Sequence, residues 1–265
     1  MAIKTIRYKF KNGGDMEYKS LDEFFKDHNK LALAFSGGVD SAYLLYAGLE
    51  AGADIKAYYV KSDFQADFEL ADAKRLADEL KANMEIIEID VLAEENVRSN
   101  PAKRCYYCKN KIFSTIIERA KADGYSVLVD GTNASDSYDD RPGMKALEEL
   151  KVLSPLRLAG LSKDQIRKKS KEAGLFTWDK DSYSCLATRI PSGEEISKAK
   201  LTKVEEAEDF LFSLGFKDFR ARLIDGTFKI QVREKDLEKI LDHRLEILEK
   251  LKTLSPVVVL DLEVR

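Results

Sequence analysis

Short apolar runs alternate with amphipathic stretches through most of the chain. Residues 31–35 form a short apolar run, and 55–60, 84–89 and 127–129 read as further strands. Between them lie stretches with helical spacing: 41–49, a segment centred on 70–80, and 109–122, where Ile112, Phe113, Ile116 and Ile117 share one face. Ser162 with Gln165 three residues on makes a capping-box start for a helix over 163–173. Strands alternating with helices of this length predict an α/β domain, its parallel sheet covered on both faces in the Rossmann-like manner.

The two ends depart from that rhythm. Residues 6–10 alternate, Asn12-Gly13-Gly14 turns, and 16–19 alternate back, which predicts a hairpin. A short helix over residues 21–27 follows, with Ser20 as its N-cap. After Cys185 the order becomes a helix over 201–214 ended by Gly215, and strands over 219–224 and 228–232 joined across Asp225-Gly226. A helix over 235–251 and a strand over 257–262 complete it. This is a small α+β unit, and Pro191 and Gly193 interrupt the pattern just before it. The expected organisation is a hairpin extension over 1–20, an α/β domain over 21–184 and a smaller α+β domain over 185–265.

Composition narrows the function. The chain has 265 residues, 44% hydrophobic and 34% charged, which is too apolar for a disordered chain. Its apolar runs are far shorter than the roughly 20 residues that cross a bilayer. The charged first thirty residues carry no secretory pattern, so a cytoplasmic location is expected. With 44 Lys and Arg against 47 Asp and Glu, the chain offers no overall basic field for duplex nucleic acid. Its 3 cysteines are an odd number, which argues against a disulfide framework.

The densest chemistry lies at Ser36-Gly37-Gly38-Val39-Asp40-Ser41, where an apolar strand gives way to a helix. Free backbone amides and the positive end of the helix dipole face outward together at such a junction. Gly37 and Gly38 let the backbone approach an anion without a Cβ in the way. Ser36 and Ser41 can donate hydroxyls to phosphate oxygens. Asp40 beside a phosphate site makes sense chiefly as a Mg²⁺ ligand. A plain strand-to-helix turn would not need the whole string, and the Gly-Lys-Ser/Thr of a Walker A loop is absent.

The string resembles the PP-loop of the ATP pyrophosphatase superfamily, whose members hold the pyrophosphate of ATP while AMP passes to a substrate. Asp130-Gly131-Thr132-Asn133, Asp136 and Asp140-Arg141-Pro142-Gly143 extend the resemblance to one branch. So does Ser184-Cys185-Leu186-Ala187-Thr188-Arg189-Ile190-Pro191-Ser192-Gly193. That branch is the LarE family, ATP-dependent sulfur transferases that build a nickel-pincer nucleotide. The likeness runs from about Leu31 to the C-terminus and includes Arg220-x-Arg222; the N-terminal hairpin lies outside it. It implies a PP-loop, adenine nucleotide alpha hydrolase-like fold. It also implies a nucleotide site that includes Gly131, Thr132, Asp140 and Arg141, and assembly of copies through the terminal domain.

Cys105-x-x-Cys108 and Cys185 are all the cysteines present. By spacing alone, an iron–sulfur cluster and a structural zinc site are equally open. His28 and His243 are not at ligand spacing from a cysteine. The resemblance favours a three-cysteine type, in which Cys105, Cys108 and Cys185 converge to hold a 4Fe-4S cluster with one iron open to carry sulfide. Arg189, four residues past Cys185, is expected to lower a thiolate pKa or bind substrate phosphate. Arg220 and Arg222 alternate on one strand face and can meet one anion. Glu208 matches an acidic position of the family, although beside Glu205 and Glu206 it also reads as a solvated helix face.

The expected reaction uses ATP and Mg²⁺ to adenylate carboxylates of pyridinium-3,5-dicarboxylate mononucleotide, after which sulfur displaces AMP to leave thiocarboxylates. Cys185 is the expected sulfur-handling residue, and the sulfur donor that recharges the cluster is unidentified. Three rivals stand beside this reading. Cys185 gives up its own sulfur, or the chain is an iron–sulfur tRNA thiolase, against which its acidity counts. The third is a non-catalytic nucleotide-binding module with structural zinc.

Overall fold

A computed structural model describes residues 18–136 and 142–265. All but the end of the expected hairpin lies in 1–17, outside the described residues. The chain divides into two compact units, each discontinuous in sequence. The first takes the residues up to Lys61, Asp67–Ile89 and Cys105–Lys180; the second takes Ser62–Ala66, Asp90–Arg104 and Asp181–Arg265.

In the first unit, strands β1 (Lys30–Ala34), β2 (Asp54–Lys61), β3 (Asn83–Glu88) and β4 (Leu128–Val129) form a parallel sheet in the order β3-β2-β1-β4. Helix α1 (Leu21–Asp27) precedes β1, and α2 (Val39–Glu50) and α3 (Asp67–Glu79) connect β1 to β2 and β2 to β3. Side chains alternate across the sheet with period two. Leu31, Leu33, Ile55, Ala57 and Tyr59 join one buried cluster, shared with Leu44 and Leu45 of α2. Ala32, Tyr58 and Val60 point into the other, with Phe113 and Ile116. Burial on both faces is why β1 reads as a short apolar run.

The short helix α4 (Glu95–Arg98) belongs to the second unit, and α5 (Arg104–Ala122) begins earlier than its apolar spacing predicts, so Cys105 and Cys108 sit inside it. Helices α6 (Pro142–Glu149), α7 (Pro155–Leu158) and α8 (Lys163–Glu172) follow β4, and Ser162 and Gln165 form the expected capping box. Strand β1 lies between β2 and β4, so the connections leaving β1 and β3 run to opposite sides. The crevice beyond the carboxyl ends of β1 and β4 is therefore a topological switch point, where doubly wound folds place their ligands.

The second unit is built on α9 (Lys198–Ser213), β5 (Arg220–Ile224) and β6 (Thr227–Gln231), with α10 (Leu237–Asp242), α11 (Arg244–Leu251) and β7 (Val257–Leu260). Strands β5 and β6 are antiparallel across Asp225 and Gly226, both at positive φ, and β7 pairs parallel to β6. The single helix expected over 235–251 is instead a 3₁₀ turn at Glu234–Asp236 followed by two helices. It breaks at His243, whose ψ of 8° leaves helical geometry. No helix among the described residues is long and apolar enough to cross a membrane.

Asn100 ties the excursion 90–104 into this unit. Its buried Nδ2 donates to the carbonyls of Ile190, Pro191 and Glu194 at 3.3, 2.7 and 3.2 Å. Its own carbonyl accepts from Gly193 N at 2.7 Å and Ser192 Oγ at 3.2 Å, and its φ of 51° suits Asn better than most residues. Asn100→Ala leaves three carbonyls without that donor and is expected to lower stability by about 1–3 kcal/mol in a urea titration.

Candidate active site

Strand β1 delivers Ser36-Gly37-Gly38 to the start of α2, with Gly38 at the N-cap and no side-chain oxygen capping the helix. Gly37 has φ 70°, and a Cβ there would stand 3.1 Å from Ala73 Cβ. The hydroxyls of Ser36 and Ser41 lie 3.1 Å apart, and Ser41 Oγ accepts from Ser36 N at 3.3 Å and donates to Gly38 O at 3.2 Å. Val39 is buried, so its side chain belongs to the core and only its backbone faces the loop. From the neighbouring strand, Gly131 closes on the same place: a Cβ on it would meet Ser41 N at 2.9 Å. Thr132 turns its hydroxyl to Asp130 at 2.5 Å, and Ser154 Oγ donates to the same carboxylate at 2.7 Å. Asp140 and Arg141 lie outside the described residues.

Asp40 is the loop's one carboxylate. Its Oδ2 accepts from Lys163 Nζ at 2.6 Å, while Oδ1 is buried with no hydrogen-bond partner among the described residues. Burial pushes the Asp40 carboxyl up, against the opposing pull of Lys163. A buried carboxylate oxygen without a donor fits a hard divalent cation, so Asp40 would hold Mg²⁺ here.

The second unit carries a different cluster. Arg189 is fully buried and grips Glu208 bidentately, Nε to Oε1 at 2.7 Å and Nη2 to Oε2 at 2.8 Å. Burial opposes its charge, yet the Glu208 carboxylate outweighs that and holds the guanidinium above its ordinary range. Arg189 Nη1 also donates to Ser184 O, Ser184 Oγ and Thr188 Oγ1 at 3.0, 2.8 and 2.7 Å. These bonds straddle Cys185, so Arg189 braces the cysteine loop. Glu208 corrects the solvated-face reading: it also accepts from Tyr183 OH at 2.6 Å and Ala221 N at 2.9 Å. One signal was available, since Leu201, Val204, Glu208 and Leu211 fall at helical spacing on the buried face of α9.

Arg220 and Arg222 start β5 beside this pair. Arg220 is buried and donates to Phe219 O at 2.5 Å and Ser182 O at 3.3 Å; Arg222 donates to Thr188 O at 3.0 Å. Burial and the nearby Arg189 and Arg265 charges push Arg220 down to about 10, and Arg222 is lowered for the same reasons. Glu208 is spent on Arg189, and Asp218 is shared between Arg220 at 3.8 Å and Arg265 at 2.8 Å, so the arginines outnumber the carboxylates paired with them.

Cys105 and Cys108 lie one turn apart on α5, and Cys185 stands at the N-cap of the 3₁₀ helix Leu186–Arg189 in the second unit, 3.9 Å from Arg104 Nη2. Three thiols without an imidazole suit iron. Among the described residues, however, no group of three or more His, Cys, Asp or Glu is gathered to hold a metal ion. His28 contacts Tyr18 and His243 contacts Glu246.

A family model described as queuosine biosynthesis protein QueC matches residues 30–106, the stretch that holds the phosphate loop. Uncharacterized proteins of Synechocystis and of Methanocaldococcus jannaschii are 32% and 33% identical, over 86% and 88% of this chain and 85% and 88% of their own lengths. A pyridinium-3,5-bisthiocarboxylic acid mononucleotide synthase of Lactiplantibacillus plantarum is 32% identical over 79% of this chain and 76% of its own. The chain belongs to the LarE family.

It is accordingly an ATP-using sulfur transferase of the PP-loop class. The LarE resemblance identified the phosphate loop but gave no sign of Lys163, whose ion pair with Asp40 joins positions 123 residues apart. Two substitutions probe the site. Gly131→Ala is expected to push the Ser41 amide aside and weaken ATP binding about tenfold or more by calorimetry, with the fold retained by circular dichroism. Glu208→Gln strips the carboxylate from a fully buried arginine and is expected to cost about 3–5 kcal/mol in chemical denaturation.

Proposed function

We propose that this chain adenylates a carboxylate of pyridinium-3,5-dicarboxylate mononucleotide and replaces AMP with sulfur, as the Lactiplantibacillus relative's product name implies for that protein. The observation that carries the reading is the phosphate loop itself, with an Asp40 oxygen that has no hydrogen-bond partner among the described residues beside the backbone of Gly37 and Gly38. The loop binds the pyrophosphate end of ATP through backbone amides and the Ser36 and Ser41 hydroxyls. Mg²⁺ at Asp40 would neutralise phosphate charge. The substrate carboxylate attacks the α-phosphorus and pyrophosphate departs, so the carbonyl now bears AMP as a good leaving group. A nucleophilic sulfur adds to that carbonyl, the C–O bond to AMP breaks, and a thiocarboxylate remains. Arg220 and Arg222, with their surplus charge, suit the substrate's own phosphate.

Two sulfur sources are compatible with these residues. The three-cysteine resemblance supports a four-iron cluster on Cys105, Cys108 and Cys185. Direct donation by Cys185 is the other: its thiolate displaces AMP to form a thioester, and loss of the Cα proton with breakage of the Cβ–S bond leaves the thiocarboxylate and a dehydroalanine. Anaerobic purification with metal analysis separates them: brown protein with about four irons per chain supports the cluster. Loss of one sulfur from Cys185 by mass spectrometry after turnover supports direct donation.

Asp40→Ala is expected to reduce substrate-dependent pyrophosphate release about 100-fold or more; a wild-type rate would overturn the loop assignment. Arg222→Gln is expected to raise KM for the dicarboxylate nucleotide about tenfold and leave KM for ATP within about twofold.

A further inference from the structure

Lys163 is the first residue of α8, and its backbone is held in place. Its amide donates to Ser135 Oγ at 3.0 Å, and Ser162 before it caps the helix together with Gln165. Only the side chain is left to move, and it is not sealed in: Lys163 is 31% exposed and Asp40 22% at their side chains. The ammonium occupies one oxygen of Asp40 and leaves the other buried with no hydrogen-bond partner among the described residues. A compact single charge on a flexible four-carbon stem is a partial solution there, whereas a divalent cation with its waters satisfies a carboxylate more fully.

We infer that Lys163 exchanges partners: it neutralises Asp40 while the phosphate loop is empty, and carries its charge to the pyrophosphate end of the nucleotide when a divalent cation takes Asp40. The inference rests on the loop being the nucleotide site, as proposed above. Two physical points drive the exchange. A half-buried ammonium that loses its carboxylate must find another anion or bear the cost of desolvation. The arriving polyphosphate is the anion that comes with the metal, and Lys163 already stands at the loop that receives it. Departing pyrophosphate also gains negative charge as the P–O bond breaks, so a lysine there is worth most in the transition state. Lys163 would then be a competitor of the metal in the empty protein and an ally of the phosphates in the loaded one.

A merely structural ion pair between α8 and α2 would not give effects of opposite sign, and the test uses that. The full-length protein, Lys163→Gln and Lys163→Arg are compared for Mn²⁺ binding without nucleotide by electron paramagnetic resonance, and for magnesium pyrophosphate and AMP binding by calorimetry. Lys163→Gln is expected to bind Mn²⁺ about tenfold tighter, magnesium pyrophosphate about tenfold weaker and AMP within about twofold of wild type. Lys163→Arg is expected to keep pyrophosphate binding, which shows that charge and not packing is read. If Lys163→Gln binds Mn²⁺ and pyrophosphate as the wild type does, the partner exchange is overturned while the nucleotide site stands. If the wild-type protein binds neither ATP nor pyrophosphate, the site assignment fails and the exchange with it.

Discussion

Parallel pairing of β1 with β4, on the side opposite β2, is the constraint from which the nucleotide site follows. Because β1 and β4 run parallel, the chain leaving the carboxyl end of β1 meets the turn that follows β4. The two loops come so close that no side chain fits between Gly131 and the Ser41 amide. That absence of a Cβ lets one loop support the other. The amides at the head of α2 are held open without a side-chain cap, which is the condition for receiving an anion.

The second unit meets a different demand, that of holding charge in a dry place. Glu208 accepts from Arg189, Tyr183 and the Ala221 amide at once, so a carboxylate inside the unit is fully provided with donors. Through Arg189 the same carboxylate orders Ser184 and Thr188 on either side of Cys185. Arg220 and Arg222 are lowered first by burial and then by the charges of Arg189 and Arg265, both of which an anion would offset. The loop that carries Cys185 and the Arg220–Arg222 pair thus share one electrostatic foundation.

Much of this was legible along the chain. Apolar residues marked every strand of the first sheet, most fully in β1, which is buried on both faces, and less so in the edge strand β3, whose residues are only partly buried. Ser20, Ser162 and Gln165 announced helix starts, and Asp225-Gly226 a tight turn, since caps and turns are made by neighbours in sequence. Periodicity overreached at 235–251, where helical residues continue past His243 but the backbone does not. It also ran short at α5, whose first turn carries cysteines and tyrosines without an apolar stripe.

The sequence by itself determined the α/β architecture, the phosphate loop and the membership of a sulfur-transferase family, because each is written in local spacing or contiguous strings. Tertiary structure alone decided that Glu208 is a buried anchor and Arg189 its partner, and that Lys163 stands on Asp40. It also decided that 62–66 and 90–104 belong with the C-terminal residues. The reason is physical: whether a charged side chain is solvated or paired depends on which distant residues displace its water. That choice is made by packing across long sequence separations, about which local pattern carries no information.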